Sequence, residues 1–320
     1  MLAVYLANKK LNLRNLPRPA PRQGFAIIRM LYSGICNTDI ELLHGYNGFH
    51  GTPGHEFVGE VVAGSRELIG RRVVGEINVN CSRCPWCRRG QVRHCPHRTV
   101  LGIVRHPGAF AEFLSLPERN LHVLPPQIPV QQAVFAEPLA AACEILEQVS
   151  ISAGAEVAVL GDGKLGLLVA QVLQVHGARV HLFGRHRHKL RIAEKQGVAC
   201  QFRSSRLPTA AYNFVVEATG SPEGLAQAVS MTRPLGTLIL KSTVHGPVRL
   251  DTAPVIVNEL TLVGSRCGPF SPALELLAGG RINVADMISD SFPLPDAAAA
   301  FRQAQKDGVL KVLLCNNSGQ

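Results

Sequence analysis

The sequence has no run of about 18 apolar residues, and it has fewer acidic than basic side chains. Without such an apolar run, no segment is predicted to span a membrane. The first residues, MLAVYLANKKLNLRNL, lack the charged start and the apolar core of a secretory signal. Internal repeats and low-complexity tracts are also missing. We therefore expect a cytoplasmic protein without a membrane partner.

The shortage of acidic side chains leaves a strongly basic chain. Lysine and arginine number 33 against 23 aspartates and glutamates, so the formal net charge is +10. A basic surface can bind nucleic acid, but most of these residues are scattered, apart from residues 185–189 and a smaller group in residues 88–93. We therefore predict no specific nucleic-acid partner. A basic balance also suits an anionic cofactor.

A chain of 320 residues is too long for one ordinary core, so two domains are expected. Up to about residue 125, short β-prone pieces are interrupted by glycines and prolines, which predicts a β-rich and irregular first part. The second half begins with EVAVLGDGKLGLLVAQVLQVHGARVHLFGR, which is typical of strand, glycine turn, helix and strand. Further apolar strands separated by helix-length stretches predict a doubly wound parallel sheet.

Four of the nine cysteines lie close together in NCSRCPWCRRGQVRHCP. Thiolates at Cys81, Cys84, Cys87 and Cys95 can close a tetrahedral shell around zinc, with no position left for water, so such a site would be structural. Two alternatives stay open. The Cys-x2-Cys-x2-Cys run could hold an iron–sulfur cluster, although the last gap is seven residues rather than three. The four thiols could also carry no metal.

A second group of possible metal ligands lies between residues 34 and 61. Cys36 offers a thiolate, His55 an imidazole and Glu56 a carboxylate, and glycines and a proline precede His55. Together these groups could hold a divalent metal.

The second half contains the pattern Gly-x-Gly-x-x-Gly at Gly161, Gly163 and Gly166, directly after the apolar strand VAVL. In that context the first glycine makes the turn and the second lets a pyrophosphate approach the backbone. The third lets the helix pack closely on the strand. The cofactor-binding stretch therefore includes Lys164 and Leu165. The alternative is a tight turn without a ligand.

The end of the next strand bears on the choice of cofactor. An NAD site usually has an acidic residue there, which binds the ribose hydroxyls of the adenosine half. Here Gly184 stands at that position and Arg185 follows, so nothing acidic is expected to repel a 2′-phosphate. The sequence therefore favours NADP over NAD. The basic run could also be no more than the solvated start of a helix.

These motifs together resemble the zinc-dependent medium-chain dehydrogenases, the superfamily of alcohol, sorbitol, threonine and glucose dehydrogenases. The resemblance covers essentially the whole chain. It is carried by GICNTDIE, GHEFVGEV, the four-cysteine loop with gaps of two, two and seven, AEPLAAACEIL, and the glycine turn.

The resemblance implies roles for matching residues. Cys36 and His55 match the first two ligands of a catalytic zinc, and Glu137 matches the third ligand of the polyol and glucose branch. Glu56 would lie next to the metal, as a catalytic residue that either holds the metal-bound water or serves as an exchangeable ligand. Asp39 would orient the imidazole of His55. Two zinc ions per chain are therefore expected, one catalytic and one structural.

The resemblance also implies the chemistry. The catalytic zinc would hold the substrate alkoxide, and hydride would pass between the carbinol carbon and the nicotinamide. Thr38 would accept the alcohol proton. Glu41 stands where the family often has a relay histidine, so the proton could leave through Glu41, His44 or water. Further cofactor contacts are expected at three residues at strand ends: Thr219, Gly220 and Ser265.

The expected fold is α/β, with a GroES-like β-rich catalytic domain at residues 1–146 and 270–320. A Rossmann domain with a doubly wound parallel sheet is expected at residues 147–269. The expected function is an alcohol or polyol dehydrogenase with NAD or NADP, acting on a small alcohol, polyol or carbonyl compound. The alternative is a non-enzymatic redox regulator that binds zinc and a dinucleotide. Family habit implies a homodimer or homotetramer.

Overall fold

A computed structural model describes residues 1–202, 207–243 and 247–316. The chain divides into two units. The first comprises Met1–Glu137, Leu277–Gly279 and Ile288–Gln320, and the second Pro138–Leu276 and Gly280–Met287. The domain bounds expected from the sequence, residues 1–146 with 270–320 and residues 147–269, stay a prediction. Residues 317–320, which close the predicted catalytic domain, lie outside the described residues.

The first unit is built mainly from strands, as the short apolar pieces and frequent glycines and prolines predict. Its strands are β1 (Leu2–Ala7), β2 (Lys10–Asn15), β3 (Phe25–Gly34), β4 (Glu56–Ala63), β5 (Arg72–Gly75), β6 (Asn78–Val79), β7 (Thr99–Leu101), β8 (Arg105–His106), β9 (Phe113–Pro117), β10 (Leu121–Val123), β17 (Ile288–Pro293) and β18 (Lys311–Cys315). Its helices are α1 (Asn37–Leu43), α2 (Pro85–Arg88) and α9 (Ala297–Ala304).

A seven-stranded sheet organises this unit. Its order is β10-β5-β4-β3-β18-β17, and β9 also pairs with β3. The central strand β3 has the sequence FAIIRMLYSG, whose apolar side chains are largely buried. In the register of this sheet, Gly34 at the end of β3 lies opposite Glu56 of β4 on one side and Leu313 of β18 on the other. Chain segments far apart in sequence therefore meet at one end of β3.

The second unit alternates strands and helices. Its strands are β11 (Glu156–Leu160), β12 (Arg179–Gly184), β13 (Ala199–Phe202), β14 (Tyr212–Glu217), β15 (Thr232–Leu240) and β16 (Thr261–Gly264). Its helices are α3 (Ala136–Gln148, within this unit from Pro138), α4 (Lys164–Val175), α5 (Arg187–Glu194), α6 (Pro222–Met231), α7 (Ala253–Val257) and α8 (Phe270–Ala278).

All pairs in the six-stranded sheet of this unit are parallel, in the order β13-β12-β11-β14-β15-β16. The central strands are buried, as expected for a parallel sheet with both faces covered. The carboxyl ends of the neighbouring strands β11, β12 and β14 lie side by side, and such sheets bind ligands at the carboxyl ends of their strands. The prediction of a doubly wound parallel sheet is confirmed. No helix within the described ranges is long and apolar enough to cross a membrane.

Candidate metal centres and dinucleotide site

One candidate metal centre lies where β3 of the first unit ends and β4 begins. Cys36 follows β3, His55 directly precedes β4, and Glu56 is the first residue of β4. Their ligand atoms lie within 4.8 Å of one another, and His55 and Glu56 are buried. The pairing of Gly34 with Glu56 across the two strands brings the thiol and the imidazole together. These three residues therefore lie together in one cluster.

Asp39 holds this cluster in place from the first turn of α1. Its side chain is fully buried and accepts the backbone N–H of Cys36 at 2.9 Å and that of Gly54 at 3.1 Å. Gly54 has a φ of +98°, and a Cβ there would lie 2.6 Å from the ring of Phe110, so only glycine fits. Oδ1 of Asp39 lies 3.4 Å from Nδ1 of His55. Asp39 therefore fixes both chain segments that carry the first two ligand candidates.

The electrostatics around His55 suit a cation. Burial lowers its pKa, but the carboxylate of Asp39 and the thiol of Cys36 outweigh burial and raise the pKa well above its ordinary value. Nδ1 of His55 is buried without a hydrogen bond of good geometry among the described residues. A positive charge at this imidazole is thus favoured by its surroundings. A zinc ion between Cys36 and His55 would supply that charge, so the donor set fits the metal.

Glu56 is not a free ligand, because Lys311 binds it. Nζ of Lys311, at the start of β18, contacts Oε2 of Glu56, and both side chains are only 1% exposed. Burial lowers the pKa of Lys311, but Glu56, Cys36 and Asp39 together raise it above its ordinary value. The side chain of Lys311 also lies near the ring of Phe135, with Nζ 5.6 Å from the ring centroid. The ammonium therefore stays charged beside the metal cluster.

Gly34 makes room for this ion pair. A Cβ at Gly34 would lie 2.7 Å from Oε2 of Glu56 and 2.9 Å from Cδ of Lys311. Sequence reasoning missed Lys311 altogether. The available signal was a single lysine in the apolar run VLKVLLC, at a position where a strand side chain is expected to be buried.

The other residues predicted for this centre are placed as follows. The hydroxyl of Thr38 lies 3.8 Å from the sulfur of Cys36. Glu41 and His44 are exposed at and just after the end of α1. Glu137 lies in the first turn of α3 and does not belong to the described group whose ligand atoms lie within 4.8 Å of one another. Its role as the third ligand stays a prediction.

The four-cysteine loop has the geometry of a second metal centre. The sulfur–sulfur separations are 3.5 Å for Cys84 and Cys87, 3.7 Å for Cys84 and Cys95, 3.5 Å for Cys95 and Cys81, and 4.0 Å for Cys81 and Cys87. Sulfurs on a tetrahedral zinc at about 2.3 Å lie about 3.8 Å apart, whereas a disulfide needs about 2.05 Å. The four thiols therefore match a tetrahedral zinc shell. Backbone N–H groups of Arg83 and Cys84 lower the pKa of Cys81 to about 6.

The glycine turn of the second unit has the shape that a dinucleotide needs. Gly161 has a φ of +120°, and a Cβ at Gly166 would lie 1.9 Å from the carbonyl oxygen of Gly161. A Cβ at Gly163 would meet nothing within 4 Å, so the space above this residue is open. Gly163 caps α4, which begins at Lys164 and Leu165. Open backbone at a helix N-terminus is a suitable place for a pyrophosphate.

The remaining residues predicted to bind the cofactor also lie at the carboxyl ends of strands in the parallel sheet. Gly184 ends β12, Thr219 and Gly220 follow β14, and Ser265 follows β16. The hydroxyl of Thr219 donates to the buried carboxylate of Glu217 at 2.6 Å. Ser265 accepts a hydrogen bond of 2.9 Å from Lys241, a buried lysine that the sequence did not single out.

The expectation that nothing acidic lies near the end of β12 is wrong. Asp162, inside the glycine turn, accepts the backbone N–H groups of Arg185 at 2.8 Å and His186 at 2.6 Å. NAD sites usually carry the acidic residue at the end of the second strand, here β12. In this chain the acidic residue lies in the turn after β11, so the residues of β12 do not reveal it. The available signal was the aspartate itself, which stands between Gly161 and Gly163.

The comparisons with known proteins agree with this arrangement. A family model described as alcohol dehydrogenase GroES-like domain matches residues 22–126, and one described as zinc-binding dehydrogenase matches residues 165–279. The erythritol/L-threitol dehydrogenase of Mycolicibacterium smegmatis is 30% identical over 319 residues, which cover 89% of this chain and 88% of that protein. The chain belongs to the zinc-dependent medium-chain dehydrogenase superfamily.

Further relatives of this dehydrogenase point the same way. The sorbitol dehydrogenase of Halalkalibacterium halodurans is 28% identical over 324 residues, with 93% of each chain covered. The crystal structure of a zinc-binding dehydrogenase from Sinorhizobium meliloti, bound to NADP, has a TM-score of 0.90 and 30% identity, with 98% of each chain covered. The predicted family, fold class and type of enzyme are confirmed. The alternative of a non-enzymatic regulator has no support among these relatives.

Proposed function

We propose that this dehydrogenase interconverts a small alcohol or polyol with its carbonyl compound, using a nicotinamide dinucleotide as hydride partner. The observation that carries the proposal is the cluster of the half-buried Cys36 and the buried His55, fixed by Asp39 through backbone hydrogen bonds. A protein that only bound a dinucleotide would need no such cluster. The curated relatives named for sorbitol and for erythritol or threitol support a polyol as substrate.

The proposed ligands of the catalytic zinc are Cys36, His55 and Glu137. Glu56 is the nearer carboxylate, but the buried ammonium of Lys311 already binds its Oε2. That ion pair supports a second carboxylate as the third ligand, with Glu56 as a neighbour of the metal. When bound, a zinc ion with three protein ligands supplies a Lewis acid for a substrate oxygen.

The residues around this centre would handle the proton. The hydroxyl of Thr38 lies next to the sulfur of Cys36, so it can accept the proton of a substrate hydroxyl bound at that point. Glu41 is exposed on the same helix, and His44 is exposed directly after its end. Either side chain could pass the proton to solvent. The four sulfurs of the cysteine loop hold the second, structural zinc in this proposal.

The dinucleotide would bind at the glycine turn of the second unit. Gly184 and the exposed Arg185 support NADP, as the sequence favours, since the arginine could pair with a 2′-phosphate. Asp162 works in the opposite direction because its carboxylate lies at the same place. The preference between NAD and NADP therefore depends on this group of residues.

A homodimer is the proposed assembly. Strand β16 is an edge of the parallel sheet, and exposed apolar side chains lie on and near it, with Ile256 71% and Val257 78% exposed. An unpaired, apolar edge is a template for pairing with another strand, and a second copy of β16 would supply one. Two such dimers could form a tetramer. The cytoplasm is the proposed location, because it keeps thiolate ligands reduced.

A substrate screen tests the proposed function. Alcohols, polyols and sugars are supplied with NAD and with NADP in parallel, and the absorbance of the reduced nicotinamide is followed. Glu137→Ala should abolish turnover while leaving dinucleotide binding nearly intact. Glu147→Ala is the matched control, because it removes an exposed carboxylate from the same helix. Activity that survived in Glu137→Ala would show that the ligand assignment is wrong.

A further inference from the structure

Asp162 lies between the first two glycines of the turn, and its side chain is only 9% exposed. Its Oδ2 accepts the N–H groups of Arg185 and His186, the two residues that follow β12. Nδ1 of His186 also lies 3.0 Å from Oδ2 and 3.2 Å from Oδ1. The carboxylate is therefore held at the carboxyl end of β12 by the two residues that connect this strand to α5.

Asp162 occupies the space that a side chain at Gly184 would fill. A Cβ at Gly184 would lie 2.6 Å from Cβ of Asp162 and 2.7 Å from its Oδ2. In dinucleotide-binding folds the acid at this strand end binds the ribose hydroxyls of the adenosine half. This chain has glycine at the strand end and a carboxylate at the same place, supplied by the glycine turn.

The carboxylate can still accept a further hydrogen bond. An ionised carboxylate offers about four acceptor positions on its two oxygens. The two backbone N–H groups both bind Oδ2. Among the described residues, Oδ1 contacts only the imidazole of His186, so it has capacity to accept a hydrogen bond from a ribose hydroxyl.

The same carboxylate disfavours a phosphate at this place. A 2′-phosphate bound beside Gly184 would need donors, and Asp162 already occupies the N–H groups of Arg185 and His186. The phosphate would also meet a like charge, which is costly when the carboxylate is buried. Arg185 is exposed and can offset only part of this repulsion, because solvent screens it.

We infer that Asp162 takes over the role of the missing strand-end acid: it binds the 2′-hydroxyl of the adenosine ribose and selects NAD against NADP. The inference rests on the proposed function, since it requires a dinucleotide at the glycine turn. It reverses the preference drawn from Gly184 and Arg185. A purely structural role, in which Asp162 only anchors the turn to the start of α5, would affect both dinucleotides alike.

Binding of NADH and NADPH to the zinc-loaded full chain distinguishes these roles, with the fluorescence of the reduced nicotinamide as readout. The wild type should bind NADH more tightly than NADPH. Asp162→Asn keeps the shape but loses the charge, and it should lower the ratio of the NADPH to the NADH dissociation constant by about tenfold or more. Glu156→Gln removes a carboxylate at the opposite end of β11 and should leave the ratio unchanged.

A second variant covers the case in which Asp162→Asn disturbs α5. The double change Asp162→Gly with Gly184→Asp moves the carboxylate to the strand end. It removes the contacts of the new Cβ with Asp162 and leaves the contact with Cδ2 of Leu190, at 2.7 Å, to be relieved by a shift of that side chain. It should restore the preference for NADH. An unchanged ratio in Asp162→Asn, or a wild type that prefers NADPH, would overturn the inference while the dinucleotide site stands. A wild type that binds neither dinucleotide would overturn the proposed function as well.

Discussion

Replacing Lys311 by methionine should strongly destabilise the first unit. The substitution keeps most of the length of the side chain but removes the ammonium, so the carboxylate of Glu56 stays buried without its partner. Neither side chain is more than 1% exposed, so water cannot replace the lost partner unless the strands β4 and β18 separate. The cost is therefore the desolvation of an unpaired charge rather than the loss of a surface ion pair.

The size of the effect follows from that burial. Removing one partner of a buried ion pair costs about 3–5 kcal/mol of unfolding free energy. For a domain of about 150–250 residues, each kcal/mol lowers the melting temperature by about 2–4 °C, so a fall of about 6–20 °C is expected. Lys311→Arg keeps the charge and should cost much less. The double variant Lys311→Met with Glu56→Gln removes both charges and should recover most of the stability.

The assay is thermal unfolding of the zinc-loaded protein, with the four proteins of the double-mutant cycle measured side by side. Their coupling energy isolates the pair from other effects of each change. A coupling below about 0.5 kcal/mol, the error of additivity for independent sites, would show that Lys311 and Glu56 do not stabilise each other. A Lys311→Met variant with the same melting temperature as the wild type would show the same.

Three further predictions concern other parts of the molecule. Cys95→Ser should remove one zinc per chain and lower the melting temperature, because its buried sulfur lies 3.7 Å from that of Cys84; metal analysis of the purified variant checks this. Gly166→Ala should weaken dinucleotide binding by at least about tenfold, since its Cβ would lie 1.9 Å from the oxygen of Gly161; a fluorescence titration measures it, and unchanged affinity would contradict the packing argument. Burial lowers the pKa of His106 below 6.5, so its contribution to stability is present above pH 6.5 and is lost as the pH falls. His106→Gln should therefore flatten the dependence of urea stability on pH just below 6.5.

Local sequence patterns predicted the parts of the fold and site that depend on local spacing. The four cysteines follow one another within fifteen residues, and the spacing of their sulfurs in the structure matches a tetrahedral shell. The glycine turn could be predicted for the same reason, since strand, turn and helix are consecutive in the chain. Cys36 and His55 also came together as expected, because β3 and β4 are antiparallel neighbours.

Contacts between distant segments could not be predicted in this way. Lys311 and Glu56 are 255 residues apart in sequence, and they meet only because β18 lies next to β3 in the sheet. The sequence shows that an aspartate stands at position 162, but it does not show which way the side chain points. The turn could have pointed it into solvent, whereas the N–H groups of Arg185 and His186 hold it at the end of β12. In both cases the tertiary structure determines which charges face the site.

Cys36 is proposed to help hold a catalytic zinc that is separate from the structural one. Zinc content and turnover of Cys36→Ser, measured on the same preparation with a polyol and the preferred dinucleotide, test it most directly. We predict one zinc per chain instead of two, no turnover, and unchanged dinucleotide affinity. Turnover at the wild-type rate in Cys36→Ser, or two zinc ions retained, would contradict the account.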